Sequence, residues 1–217
     1  MEGFIKYIEI VGIIAFAISG ALEGIKSRLD LLGVIVLGIV TATGGGVFRD
    51  LILGIRPPFN LRTGFNIYLA IGVALIVFLI NLFDKNVNRW TVNKLFDKTL
   101  IYSDAIGLAV FTITGMEVAY RLHTEYSIIL YVFVGVVTGV GGGIIRDTLI
   151  NSVPYILDRH VYASASIIGA IIFHLLTVYT DVNRAISSTI CIVLIFTIRI
   201  LAHKYKWNLP KATKIIN

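Results

Sequence analysis

The sequence predicts an all-α membrane protein of seven transmembrane helices, arranged as two inverted three-helix repeats followed by a C-terminal helix. Three observations carry that prediction. Hydrophobic residues fill 57% of the 217 positions and charged residues only 15%, with a mean hydropathy of +0.87, which excludes an ordinary soluble class. The apolar residues gather into runs long enough to cross a hydrocarbon core, and a segment of the second run returns in the fifth.

The runs cover residues 4–23, 29–53, 65–83, 101–118, 127–150, 161–179 and 185–202. A helix needs roughly 20 apolar residues to span a bilayer, so each run suits one crossing. The first is predicted to persist as a helix, because Glu2, Lys6 and Glu9 make no clean basic flank and no small-residue cleavage pattern follows. Short polar connections at 26–28, 56–58 and 181–184 separate most runs, and the longest and most polar connection is 84–99. The organisation expected is one transmembrane domain over residues 1–217, with repeat one at about 4–84, a linker at 85–99, repeat two at about 100–180, a seventh helix at about 185–203 and a basic tail at 204–217.

A net charge of +6 raises the question of nucleic acid, but the basic residues lie between apolar runs and form no patch interleaved with aromatics. They read as topology signals in a cell-membrane protein with lipid around it. Counting Lys and Arg in the connections and near the chain ends gives eleven on the side of the C-terminus against five on the other, which predicts an outer N-terminus and a cytoplasmic C-terminus. The lone Cys191 lacks a partner for an intramolecular disulfide or a cysteine metal site, and neither cofactor nor metal is expected.

The segment GIVTATGGGVFRD, from Gly38 to Asp50, recurs 97 residues later as GVVTGVGGGIIRD, from Gly135 to Asp147. The same offset matches Pro57 to Pro154 and Gly72 to Gly169, and an offset of 95 matches Glu9, Gly12, Phe16 and Gly20 to Asp104, Gly107, Phe111 and Gly115. A unit of three spans re-enters the membrane from the opposite side, so the repeat predicts an inverted pair, a plan recurrent among transporters.

Two readings of the triplets Gly44, Gly45, Gly46 and Gly141, Gly142, Gly143 stand side by side. Three glycines ease unwinding, and freed backbone inside a bilayer must face protein or a wet pathway; such breaks would favour a cation at their carbonyl end or an anion at their amide end. Alternatively, small residues let neighbouring helices approach closely. Ser19, Thr41, Thr43 and Thr138 are candidates to line a pathway, although hydroxyls of this kind also bond back to helical carbonyls.

Arg49 and Arg146 end their spans near an interface, where they either snorkel or flank the two mouths of a pathway. By the inverted topology Glu9 should meet Arg49 on the outer side and Asp104 should meet Arg146 on the inner side, as two structural ion pairs. Asp50 and Asp147 lie about 100° round the helix from those arginines, placed to attract a cation or to bind neighbouring backbone. Glu23 and Glu117 read as solvated interface residues, and His174 as a neutral hydrogen-bonded imidazole between helices or as a gate. Catalytic patterns such as HExxH, a phosphate loop or a paired cysteine and histidine are absent, so no enzyme is predicted.

The paired segments GGGVFRD and GGGIIRD resemble the prokaryotic branch of the trimeric intracellular cation channel family, over about residues 5 to 203. That resemblance implies a homotrimer with a pore in each subunit, lined by glycine-kinked second and fifth helices and passing monovalent cations, chiefly potassium, with sodium as the other permeant candidate. The same sequences have been labelled a glycine transporter domain, which implies the alternative of a secondary transporter for glycine or another small neutral solute. The positions that carry the motif here are Gly44, Gly45, Gly46, Arg49 and Asp50, then Gly141, Gly142, Gly143, Arg146 and Asp147.

Overall fold

A computed structural model of the chain describes residues 2–83, 94–122, 127–158 and 161–207, all as helices and connections, with no strand among them. In chain order the helices are α1 (Glu2–Lys26), α2 (Leu31–Ile52), α3 (Phe59–Thr63), α4 (Phe65–Phe83), α5 (Lys94–Leu122), α6 (Ile128–Leu149), α7 (Tyr155–Asp158), α8 (Ala163–Tyr179) and α9 (Arg184–Lys204). Six of these are long and apolar enough to cross a membrane, while α8 is apolar but only 17 residues long. The chain is a multi-pass helical membrane protein.

Local chemistry sets several ends. Asp30 precedes α2 and its carboxylate accepts the Gly33 N–H at 2.8 Å, while Asn183 accepts the Ala185 N–H at 2.8 Å before α9. Helix α5 begins at Lys94, about seven residues earlier than its apolar run, and so absorbs part of the expected linker. Phe96 and Leu100, one turn apart, are both buried against Ala21, Leu22 and Ala74, and this packing extends the helix past the hydrophobic stretch. Linker residues 85–93, Arg159 and tail residues 208–217 lie outside the described residues.

The core is a four-helix arrangement in which α1 packs on α2 and α5, and α6 packs on the same two helices. Helix α4 covers α1 and α2, α8 covers α6 and α5, and α9 lies against α5 and α8. Some 78% of the apolar stretch of α5 is buried against 17% of that of α4, so α5 is enclosed by other helices and α4 lies on the outside of the subunit. Phe16 of α1 and Phe111 of α5, equivalent in the sequence repeat, stack with ring centres 5.3 Å apart at the crossing of their helices.

The expected breaks at the glycine triplets are not there. Both α2 and α6 run as continuous α-helix through Gly44–Gly46 and Gly141–Gly143. Their role is close approach: a Cβ on Gly45 would lie 2.1 Å from the Thr138 carbonyl oxygen, and one on Gly142 would lie 2.0 Å from that of Thr41. The contact is reciprocal, each repeat's triplet resting on the other repeat's threonine turn. Any side chain at either place would have to drive the two backbones apart.

Candidate functional site

The threonines near this seam do not project free hydroxyls. Thr41, Thr43 and Thr138 donate to the carbonyls of Leu37, Ile39 and Val134 at 2.6, 2.8 and 2.6 Å, the back-bonding that satisfies a hydroxyl within its own helix. The polar groups of consequence instead stand at the two ends of the seam, one turn beyond each triplet.

At one end lies Arg146, with no exposed surface. Its Nη1 donates to Asp104 at 2.9 Å and to Ser19 at 2.6 Å, its Nε donates to Asp147 at 2.8 Å, and its guanidinium sits 5.0 Å from the centre of the Tyr155 ring. Tyr162 donates to Asp104 at 3.4 Å, and Arg199 of α9 approaches the other oxygen of Asp104 at 3.9 Å. Two carboxylates thus stand against two guanidiniums in a water-poor interior, the condition under which charge can be buried.

At the other end Arg49 donates to Asp50 at 2.8 Å, and both line a cavity of about 490 Å³ together with Glu9, Lys6, Asn66 and Arg121. The expected Glu9–Arg49 ion pair is not made. Arg49 turns to its own neighbour in sequence, and Glu9 faces the cavity instead. Each Asp still lies about 100° round its helix from the preceding Arg, yet the long arginine side chain bends back and its Nε reaches the adjacent carboxylate in both repeats.

The aspartates have a second task that spacing alone did not separate from cation attraction. Asp50 accepts the N–H of Phe59, the first residue of α3, at 2.7 Å, and Asp147 accepts that of Tyr155, the first residue of α7, at 2.9 Å. Each holds a short helix across the end of its span, and the helix N-terminus favours the negative charge. A proline directly precedes each of these helices, Pro58 and Pro154, which is the sequence signal for the start of both.

Glu23 and Glu117 are corrected from solvated to buried positions. Glu23 accepts the Tyr155 hydroxyl at 2.6 Å, and Glu117 accepts from Ser188 at 3.2 Å with Arg184 at 3.9 Å. Both partners come from distant segments, so nothing local revealed them. His174 shares a hydrogen bond with the Tyr120 hydroxyl between α8 and α5. Arg199 was missed altogether, because one arginine near the end of the last apolar run looks like any interfacial residue.

Fold and site together define a multi-pass helical membrane protein whose core carries buried, paired charge at both ends of a glycine seam. A family model described as "Glycine transporter" matches residues 6–81 and 101–177, the two halves of the sequence repeat. The inner membrane protein YadS of Escherichia coli is 37% identical, with 95% of each chain covered, and the membrane protein YvgT of Bacillus subtilis is 34% identical, over 94% of this chain and 95% of that one. Among solved structures, a TRIC cation channel studied for the basis of its conductance superposes with a TM-score of 0.82 at 38% identity, covering 98% of both chains. A prokaryotic TRIC channel crystallised in 0.5 M KCl gives 0.84 at 32% identity, over 96% of this chain and all of that one. The chain belongs to the trimeric intracellular cation channel family, whose sequence model carries the glycine transporter description.

Proposed function

We propose that the protein is a monovalent cation channel, chiefly for potassium, with a pore in each subunit of a homotrimer. The observation that carries this reading is the charged cavity of about 490 Å³ at one end of the seam, lined by Glu9 and Asp50 together with Lys6, Arg49 and Arg121, in a chain whose solved relatives at 38% and 32% identity are named as TRIC channels. Carboxylates facing a cavity with low-dielectric walls concentrate cations at its mouth. The pathway runs from that mouth between α2 and α6, past Gly44–Gly46 and Gly141–Gly143, to Asp104 and Arg146. Arg49, Asp50, Arg146 and Asp147 flank its two ends, and Ser19, Thr41, Thr43 and Thr138 lie along it. Conduction needs the closely packed seam to part.

The architecture proposed with it is two inverted three-helix units, about residues 4–84 and 100–180, plus the seventh helix, all in one transmembrane domain. The reciprocal Gly45–Thr138 and Gly142–Thr41 contacts support that pairing. The N-terminus lies outside and the C-terminus in the cytoplasm, as the eleven-to-five excess of Lys and Arg favours.

Recording from purified protein in a planar bilayer tests the function. Discrete potassium currents altered by Gly45→Leu or Gly142→Leu are expected. Saturable glycine uptake without unitary currents would replace the channel by a carrier.

A further inference from the structure

Helix α9 has no counterpart in the sequence repeat, so any side chain it inserts into the core makes the two ends unequal. It inserts Arg199, which is 3% exposed. The guanidinium lies 4.7 Å over the ring of Tyr162 and 3.9 Å from Asp104 Oδ2, while Arg146 and Tyr162 take Asp104 Oδ1. Asp104 is therefore held between two cations from two different helices.

The charge balance follows from this placement. At the buried end Arg146 and Arg199 stand against Asp104 and Asp147, and Glu23, buried behind the Tyr155 hydroxyl, adds a third carboxylate. At the cavity end Arg49 pairs with Asp50, and Glu9 shares the lining with Lys6 and Arg121, both exposed to solvent. The end that α9 reaches is covered, and without Arg199 it would hold three buried carboxylates against one guanidinium, whereas the end it does not reach opens to a cavity.

The hold on Asp104 is also loose in its geometry. At 3.9 Å the Arg199 contact is an ion pair without a hydrogen bond, and Arg199 Nε and Asp104 Oδ2 are both buried with no hydrogen-bond partner among the described residues. Such a contact cancels charge yet has few directional bonds to break.

Resting on the cation-channel reading above, we propose that Arg199 is a latch: its charge offsets Asp104 and keeps that end shut, and its withdrawal with α9 presents Asp104 to permeating cations. Arg199 is a positioning residue in this scheme, acting through Asp104.

Single-channel recording in potassium chloride of the wild type, R199K and R199Q tests the latch, each protein first shown to elute as the same folded oligomer on size exclusion. Open probability is expected to rise in the order wild type, R199K, R199Q. Lysine keeps the charge but loses the planar stack over Tyr162, and glutamine loses both, with about a fivefold rise expected for it, the scale of a modest coupling between two states. A conducting wild type with R199Q equal to it, or folded but silent, overturns the latch alone. Should R199Q not be recovered folded, R199K against wild type decides, and no rise there also overturns it. Absence of potassium current from the wild type and both variants overturns the channel reading and the latch with it.

Discussion

Arg146 is the largest of the fully buried side chains described, and every strong partner it has comes from elsewhere in the fold or from the next residue. Removing one member of a buried ion pair leaves the other uncompensated, at a cost of about 3–5 kcal/mol. Arg146→Gln leaves Asp147 without its cation and Asp104 with Arg199 and Tyr162 alone, so its stability to thermal unfolding in detergent is expected to fall by that order or the folded protein to be lost. Lys26→Gln is the contrast. Lys26 meets Asp97 at 3.7 Å with both side chains substantially exposed, and a pair of that kind contributes about 0–1 kcal/mol, so its melting curve should overlay the wild type. Equal losses from the two substitutions would contradict the buried network.

At the scale of the helix, glycine has two opposite values in this chain. Gly72 lies in α4 with nothing within 4 Å of where a Cβ would stand, and Gly142 lies in α6 with a carbonyl oxygen 2.0 Å away. Gly72→Ala is expected to stabilise slightly, by up to about 1 kcal/mol from helix propensity. Gly142→Ala must separate α2 from α6, an overpacking that costs about 1–3 kcal/mol. Unfolding of both variants under one detergent condition checks the pair of signs, and a Gly142→Ala protein as stable as Gly72→Ala would remove the tight seam. The same contrast explains what the sequence left open. A triplet inside an apolar run is compatible with an unwound turn and with a close crossing, and only the position of the facing helix separates them.

For the whole molecule, the predictions concern the two unequal ends. Glu9 faces the cavity without an arginine bound to it, so Glu9→Gln should lower potassium conductance, by about two- to threefold at low salt and less at high salt as screening replaces the lost charge. Current–concentration curves in a planar bilayer provide the check, and a reduction independent of salt would argue against an electrostatic role. Orientation is tested in whole cells carrying Cys191→Ser, with a membrane-impermeant maleimide applied from outside. Cysteine at position 6 is expected to label and cysteine at position 204 to remain unlabelled until the membrane is opened; the reverse pattern would invert the topology.

The surrounding solvent, the apolar helices and the duplicated motif were legible in the chain alone, because hydropathy and repetition are local properties that survive without knowledge of neighbours. The sequence also brought Asp104 to Arg146, since the start of one span and the end of the next lie on the same side. The remainder came from the packed fold. It turned Arg49 onto Asp50 instead of Glu9, buried Glu23 against Tyr155 and Glu117 against Ser188, closed the glycine seam backbone to backbone, and brought Arg199 from the unpaired last helix onto Asp104. Those outcomes depend on which side chains from distant segments arrive at the same buried place. In a low-dielectric interior, that arrival decides which charges are paired and which helices touch.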